Sequence, residues 1–121
     1  MVKLLIVDDE PDVREFASNF FRKRKFKIYS CPDGESAIDM VDSEHPDLVL
    51  LDIKLNRMDG IEALRKIRQT NKQVKVIMMT GRDDEDAKRS CGALGVSGYI
   101  HKPLELDELE KIVAGAVGTG I

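Results

Sequence analysis

Short unbroken apolar runs alternate with stretches whose apolar residues recur at helical spacing, from one end of the chain to the other. Lys3-Leu4-Leu5-Ile6-Val7 is short and apolar and stops at Asp8 and Asp9, which predicts a buried strand. Pro11 suits the first turn of a helix, and Val13, Phe16, Ala17, Phe20 and Phe21 give that helix one apolar face. Phe26 to Ser30 is predicted as a second strand, Pro32-Asp33-Gly34 as a turn, and Ala37, Ile38 and Val41 mark a short helix. Leu48-Val49-Leu50-Leu51 runs without polar alternation into Asp52, the pattern of a strand covered on both faces. Asp59-Gly60 precedes Ile61, Leu64 and Ile67 at helical spacing. Val74 to Met79 predicts a fourth strand that ends at Thr80-Gly81. Asp83, Asp84, Glu85 and Asp86 put negative charge where a helix begins, and Gly92 or Gly95 is placed to end it. Val96 to His101 predicts a fifth strand, followed by Lys102-Pro103. Leu109, Ile112, Val113, Ala116 and Val117 form the apolar face of a last helix, whose end Gly115, Gly118 and Gly120 weaken.

Five strands alternating with five helices predict a doubly wound α/β fold, a parallel sheet with helices on both faces. Ligands of such open sheets sit beyond the carboxyl ends of the strands. The strand list therefore becomes a site list: Asp8 and Asp9 after the first strand, Asp52 after the third, Thr80 after the fourth and Lys102 after the fifth.

Length and composition narrow the function classes. A chain of 121 residues supports one domain, residues 1–121, and buries roughly two-thirds of its unfolded surface without a disulfide or structural metal. With 42% hydrophobic and 34% charged residues it reads as soluble and globular. The 19 basic and 22 acidic residues leave a net charge of −3, which gives no general attraction to nucleic acid. No apolar run approaches the ~20 residues of a membrane span, and the start runs straight into acids, unlike a signal peptide. Cys31 and Cys91 are far apart without a C-x-x-C partner, which excludes zinc ribbons and disulfide scaffolds and suggests a reduced, cytoplasmic thiol pair.

The rim chemistry is specific. Three carboxylates brought together either raise their pKa values or hold a cation. Oxygen-only ligands with open water positions suit Mg²⁺, with Mn²⁺ as a substitute, better than zinc. A carboxylate held against such a metal can attack phosphorus and give an aspartyl phosphate. A lysine and a hydroxyl then bind the remaining phosphoryl oxygens. Alone, Asp8-Asp9 before Pro11 would decorate a helix start, and Asp52, Thr80 or Lys102 would be a turn, structural or solvated residue. Their convergence on one rim favours the functional alternative.

The segments LLIVDDEP, DLVLLDIKLNRMDG, VIMMTG and GYIHKP, in this order, resemble the response-regulator receiver domain of two-component signalling over essentially the whole chain. The resemblance implies a flavodoxin-like sheet of strand order 2-1-3-4-5. It implies Asp52 as phosphoacceptor, Asp8 and Asp9 in the metal pocket with Asp52 and the Lys54 carbonyl, Thr80 as switch hydroxyl, Tyr99 as switch aromatic and Lys102 as phosphate-binding lysine. The Lys102–Pro103 bond is usually cis in the family. The implied partners are a sensor histidine kinase or histidine phosphotransfer protein, and an output partner on the fourth helix, fifth strand and fifth helix. Neither nucleic acid nor membrane is expected as a direct partner. Such a domain is not an enzyme with its own turnover substrate; it catalyses only its own phosphorylation and dephosphorylation.

Some features depart from the pattern or lean elsewhere. Asn56 stands where many receivers carry proline, which predicts a looser loop. Lys54 and Arg82 are long cations placed to lean over the phosphoryl group and tune its lifetime. His101 faces away from Lys102 by strand alternation and reads as structural. The basic run Arg22 to Lys27 reads as a solvated helix end. A haloacid-dehalogenase-like phosphatase would need an aspartate where Lys54 stands. A flavodoxin-like cofactor binder would need a Ser/Thr/Gly-rich loop where Asp-Asp-Glu-Pro stands. A phosphorylation-independent interaction module remains the main alternative. No output segment follows the last helix, which is expected for a stand-alone receiver or a piece of a longer regulator.

Overall fold

Leu4 to Val7 and Leu48 to Leu51 are fully buried on both faces, so neither run has a polar side to turn to water. They form β1 (Lys3–Val7) and β3 (Leu48–Asp52), the middle of a five-stranded sheet completed by β2 (Lys27–Cys31), β4 (Lys75–Thr80) and β5 (Gly98–His101). The order is β2-β1-β3-β4-β5 and every pairing is parallel. Between the strands run α1 (Pro11–Arg22), α2 (Gly34–Glu44), α3 (Gly60–Thr70) and α4 (Glu85–Gly92), with α5 (Leu106–Val117) last. The computed structural model describes residues 1–81 and 85–118, with side chains omitted for 85–87.

Strand alternation sorts the core into two layers. Leu5, Val7, Val49, Leu51, Val76 and Met78 face Ala37, Val41, Leu64, Ile67 and Cys91 of α2, α3 and α4. Leu4, Ile6, Leu48, Leu50, Ile77 and Met79 face Ala17, Phe20, Phe21, Leu109 and Val113 of α1 and α5. α2 and α3 begin where short acids accept from the first turn: Asp33 from the Ser36 N–H and Asp59 from the Glu62 N–H, each at 2.8 Å.

Three strand boundaries differ from the sequence expectation. β2 starts one residue late because Phe26 is turned down against Phe21, its N–H donating to the Phe21 carbonyl after a left-handed Lys25 at φ 66°. β4 is shifted one residue onward, taking in Thr80. β5 loses Val96 and Ser97, whose approach to the sheet is limited to the Ser97 N–H on the Val76 carbonyl. α4 ends at Gly92, while Gly95 takes the left-handed conformation at φ 71°, so each glycine does part of the predicted work. The basic run is more than a solvated end. Arg24 pairs with Glu110 of α5 at 2.8 Å and its guanidinium lies 3.6 Å over the Phe20 ring.

Candidate functional site

β1 and β3 end side by side, and the register Val7 to Leu51 sets Asp8 next to Asp52. Asp8 is fully buried. Its N–H donates to the Cys31 carbonyl at 3.2 Å, and its Oδ1 accepts from the Glu10 N–H at 2.9 Å. Asp52 is 5% exposed and its Oδ1 accepts from the Lys54 N–H at 3.1 Å. The Lys102 ammonium reaches across from the end of β5. It lies 2.8 Å from Asp52 Oδ2, 2.6 Å from Asp8 Oδ2 and 3.8 Å from Glu10 Oε1. The peptide bond from Lys102 to Pro103 is cis.

The electrostatics follow from burial. Taking Asp52 out of water favours its neutral form, and the neighbouring Asp8 adds to this. Lys102 and the Lys54 N–H pull the other way, and the net result is a carboxyl pushed up to about 6. Burial works against the Lys102 charge, but the two carboxylates outweigh it and hold its pKa above the usual lysine value. Asp8 Oδ2 is within ion-pair range of Lys102 but off the direction of a hydrogen bond. Among the described residues it is the buried side-chain oxygen with no hydrogen-bond partner. Its close neighbour is the Lys102 ammonium at 2.6 Å, so this corner of the carboxylate cluster already favours positive charge. Carboxylate oxygens of Asp8, Asp9 and Glu10 lie within 4.8 Å of one another, an all-oxygen set suited to a hard divalent ion.

The structure thus brings Asp8, Asp52 and Lys102 into contact, with Asp9 in the adjoining carboxylate group. Thr80 is fully buried at the end of β4, and its hydroxyl turns toward β5. Tyr99 is half-buried, its phenol pushed up by burial, and donates to the Lys88 carbonyl of α4 at 2.9 Å. Lys54 is exposed beside the rim. Arg82 lies outside the described residues. The turn with Asn56 in place of proline is closed by the Met58 N–H on the Asn56 carbonyl at 2.8 Å. Arg57 there is left-handed at φ 70°, and Met58 is buried, which anchors the loop.

Two residues escaped the sequence reading. Glu10 joins the carboxylate group, and its place directly after Asp9 in the same loop was a usable signal. His101 is not merely structural: its Nδ1 lies 2.9 Å from Thr80 Oγ1. Alternation does turn it away from Lys102, but the Thr80 hydroxyl turns to the same side, which no spacing rule reveals.

The sequence of residues 4–114 matches the model of the response regulator receiver domain. Sporulation initiation phosphotransferase F of Bacillus subtilis is 36% identical over 111 residues, 92% of this chain and 90% of that protein. Regulatory protein AtoC of Escherichia coli is also 36% identical, over 115 residues, but this chain spans only 25% of it. Among solved structures, NtrX from Brucella abortus matches 98% of this chain and 27% of its own at 28% identity, TM-score 0.90. Chemotaxis protein CheY4 of Vibrio cholerae, 24% identical, shares the fold with a TM-score of 0.88 over 93% of this chain and 96% of its own. The chain therefore belongs to the response regulator receiver domains of two-component systems, with the flavodoxin-like, CheY-type sheet order. These are signalling domains that are phosphorylated by histidine kinases and bind Mg²⁺ at an acidic pocket. No helix among the described residues is long and apolar enough to cross a membrane.

Proposed function

We propose that this chain takes a phosphoryl group from a phosphohistidine donor onto Asp52 and thereby switches a partner-binding surface. The observation that carries the reading is the partly buried Lys102 ammonium shared by the buried Asp8 and Asp52, a cation already poised where negative charge arrives. Asp52 attacks phosphorus, its new O–P bond forming as the donor's P–N bond breaks. Lys102 moves from carboxylate to phosphoryl oxygens, where its charge offsets the roughly −1.5 to −2 that the group adds. Asp8, Asp9, Asp52 and the Lys54 carbonyl would hold Mg²⁺, which supplies neutralisation of the transferring phosphoryl. Thr80 binds a phosphoryl oxygen, and Tyr99 turns inward as α4, β5 and α5 repack, a shift between two populations. Lys54 and Arg82 tune the lifetime of the phosphorylated form. The domain catalyses these two steps on itself and has no further turnover substrate. Its donor is a sensor histidine kinase or histidine phosphotransfer protein, residues 1–121 form one receiver domain, and its place is the cytoplasm.

Intact-mass spectrometry after incubation with acetyl phosphate and Mg²⁺ tests this. One added phosphate is expected on the wild type, and none on Asp52→Ala or in the presence of a chelator. Phosphate on Asp52→Ala would assign the acceptor elsewhere.

A further inference from the structure

The residue before Lys102 is a histidine, and its ring faces the switch hydroxyl. Thr80 Oγ1 lies 2.9 Å from His101 Nδ1 and 3.4 Å from the Ile100 carbonyl. Both partners belong to β5, whereas Asp52 ends β3 on the other flank of β4. The hydroxyl is thus held on the side of β4 away from the acceptor. The outer ring nitrogen of His101, Nε2, lies 3.3 Å from the Lys88 ammonium of α4.

One arrangement of protons satisfies every group. The ammonium donates to Nε2, Nδ1–H donates to the Thr80 hydroxyl oxygen, and the hydroxyl proton goes to the Ile100 carbonyl. The other neutral tautomer would set Nε2–H against the ammonium, donor against donor. Lys88 also accepts from the Tyr99 hydroxyl through its carbonyl, so both ends of this one residue grip β5 side chains on the face that α4 covers.

We infer that His101 is a positioning residue. It holds the Thr80 hydroxyl on the β5 side of the sheet, opposes its engagement with a phosphoryl group on Asp52, and ties that hydroxyl to α4 through Lys88. The inference rests on Asp52 being the acceptor. When a phosphoryl group arrives, the hydroxyl leaves Nδ1, and the exposed ring exchanges that bond for water. The cost is one net hydrogen bond, worth a factor of roughly two to ten in the engaged population.

Beryllium fluoride, a tetrahedral phosphoryl mimic, provides the test when titrated with Mg²⁺ against wild type, His101→Ala and His101→Asn, each with and without Thr80→Ala. His101→Ala is expected to bind about two- to tenfold more tightly than wild type. His101→Asn, whose amide donates to the same hydroxyl, is expected to restore the wild-type affinity. In the Thr80→Ala background the His101→Ala change should have no effect, since the contact it removes is already gone. Equal or weaker binding by His101→Ala, no restoration by asparagine, or a gain that persists without the Thr80 hydroxyl overturns the inference. Wild-type binding that is absent, or that survives Asp52→Ala, overturns the acceptor reading and the inference with it. A null result at His101 alone leaves that reading standing.

Discussion

Asp52 is a charge held where the protein would rather have none. Burial, above all, pushes its carboxyl from the usual 3.8 up to about 6. A raised acid binds protons more tightly folded than unfolded, so its penalty is absent below pH 3.8, grows between the two values and is complete above about 6. Asp52→Asn is therefore expected to stabilise the metal-free protein at pH 7 by about 1–3 kcal/mol. Urea denaturation should show that gain shrinking as the pH falls from 6 toward 4. A gain that does not change with pH would mean that shape, not charge, is responsible. The thiols show the opposite use of burial. Cys31 is pushed up to about 11 because burial outweighs the Asp33 backbone contact and the Arg14 charge that favour a thiolate, which fits an inert packing residue.

At the scale of elements, the site depends on how closely α3 approaches the end of β3. Gly60 opens that helix, and its N–H donates to the Ile53 carbonyl at 2.7 Å. A Cβ there would meet the Asp52 carbonyl oxygen at 2.0 Å and the Ile53 Cα at 2.8 Å, both backbone atoms that cannot swing aside. Gly60→Ala is expected to cost about 1–3 kcal/mol by overpacking. It should also lower phosphate incorporation at Asp52 in the protein that remains folded. Thermal unfolding and intact-mass spectrometry read the two effects. An unchanged melting point would show that the contact is not as tight as the geometry requires. Elsewhere α3 is anchored by Arg68, whose guanidinium donates to the carbonyls of Leu94, Asn71, Val74 and Gly95, tying the end of α3 to the approach to β5.

For the molecule as a whole, the carboxylate rim is expected to make stability a function of metal. Mg²⁺ at a hundred times its dissociation constant should add about 2.7 kcal/mol, because the unfolded chain cannot assemble the site. The same concentration should add much less to Asp9→Asn, and thermal melts with and without chelator give the comparison. Most of the architecture was legible because the central strands are short unbroken apolar runs: LVLLD, bounded by Pro46-Asp47 and ending in an acid, suits a strand buried on both faces. The rim was legible for the same reason, since parallel strands deliver their ends to one edge. What sequence could not supply were side-chain turns within that edge. Thr80 and His101 meet because a hydroxyl rotates toward β5, and Phe26 leaves β2 because the end of α1 offers Phe21 as a partner.

The sharing of Lys102 has a temporal side. The two buried acids lie early in the chain, and the ammonium that balances them is encoded fifty residues after Asp52. As the polypeptide leaves the ribosome, Asp8 and Asp52 emerge without their counter-charge. Until β5 docks beside β4, the Lys102 ammonium is not held against either. With Asp52 as the proposed acceptor, a half-made molecule is expected to take up no phosphoryl group until the stretch that carries Lys102 has been added behind β5.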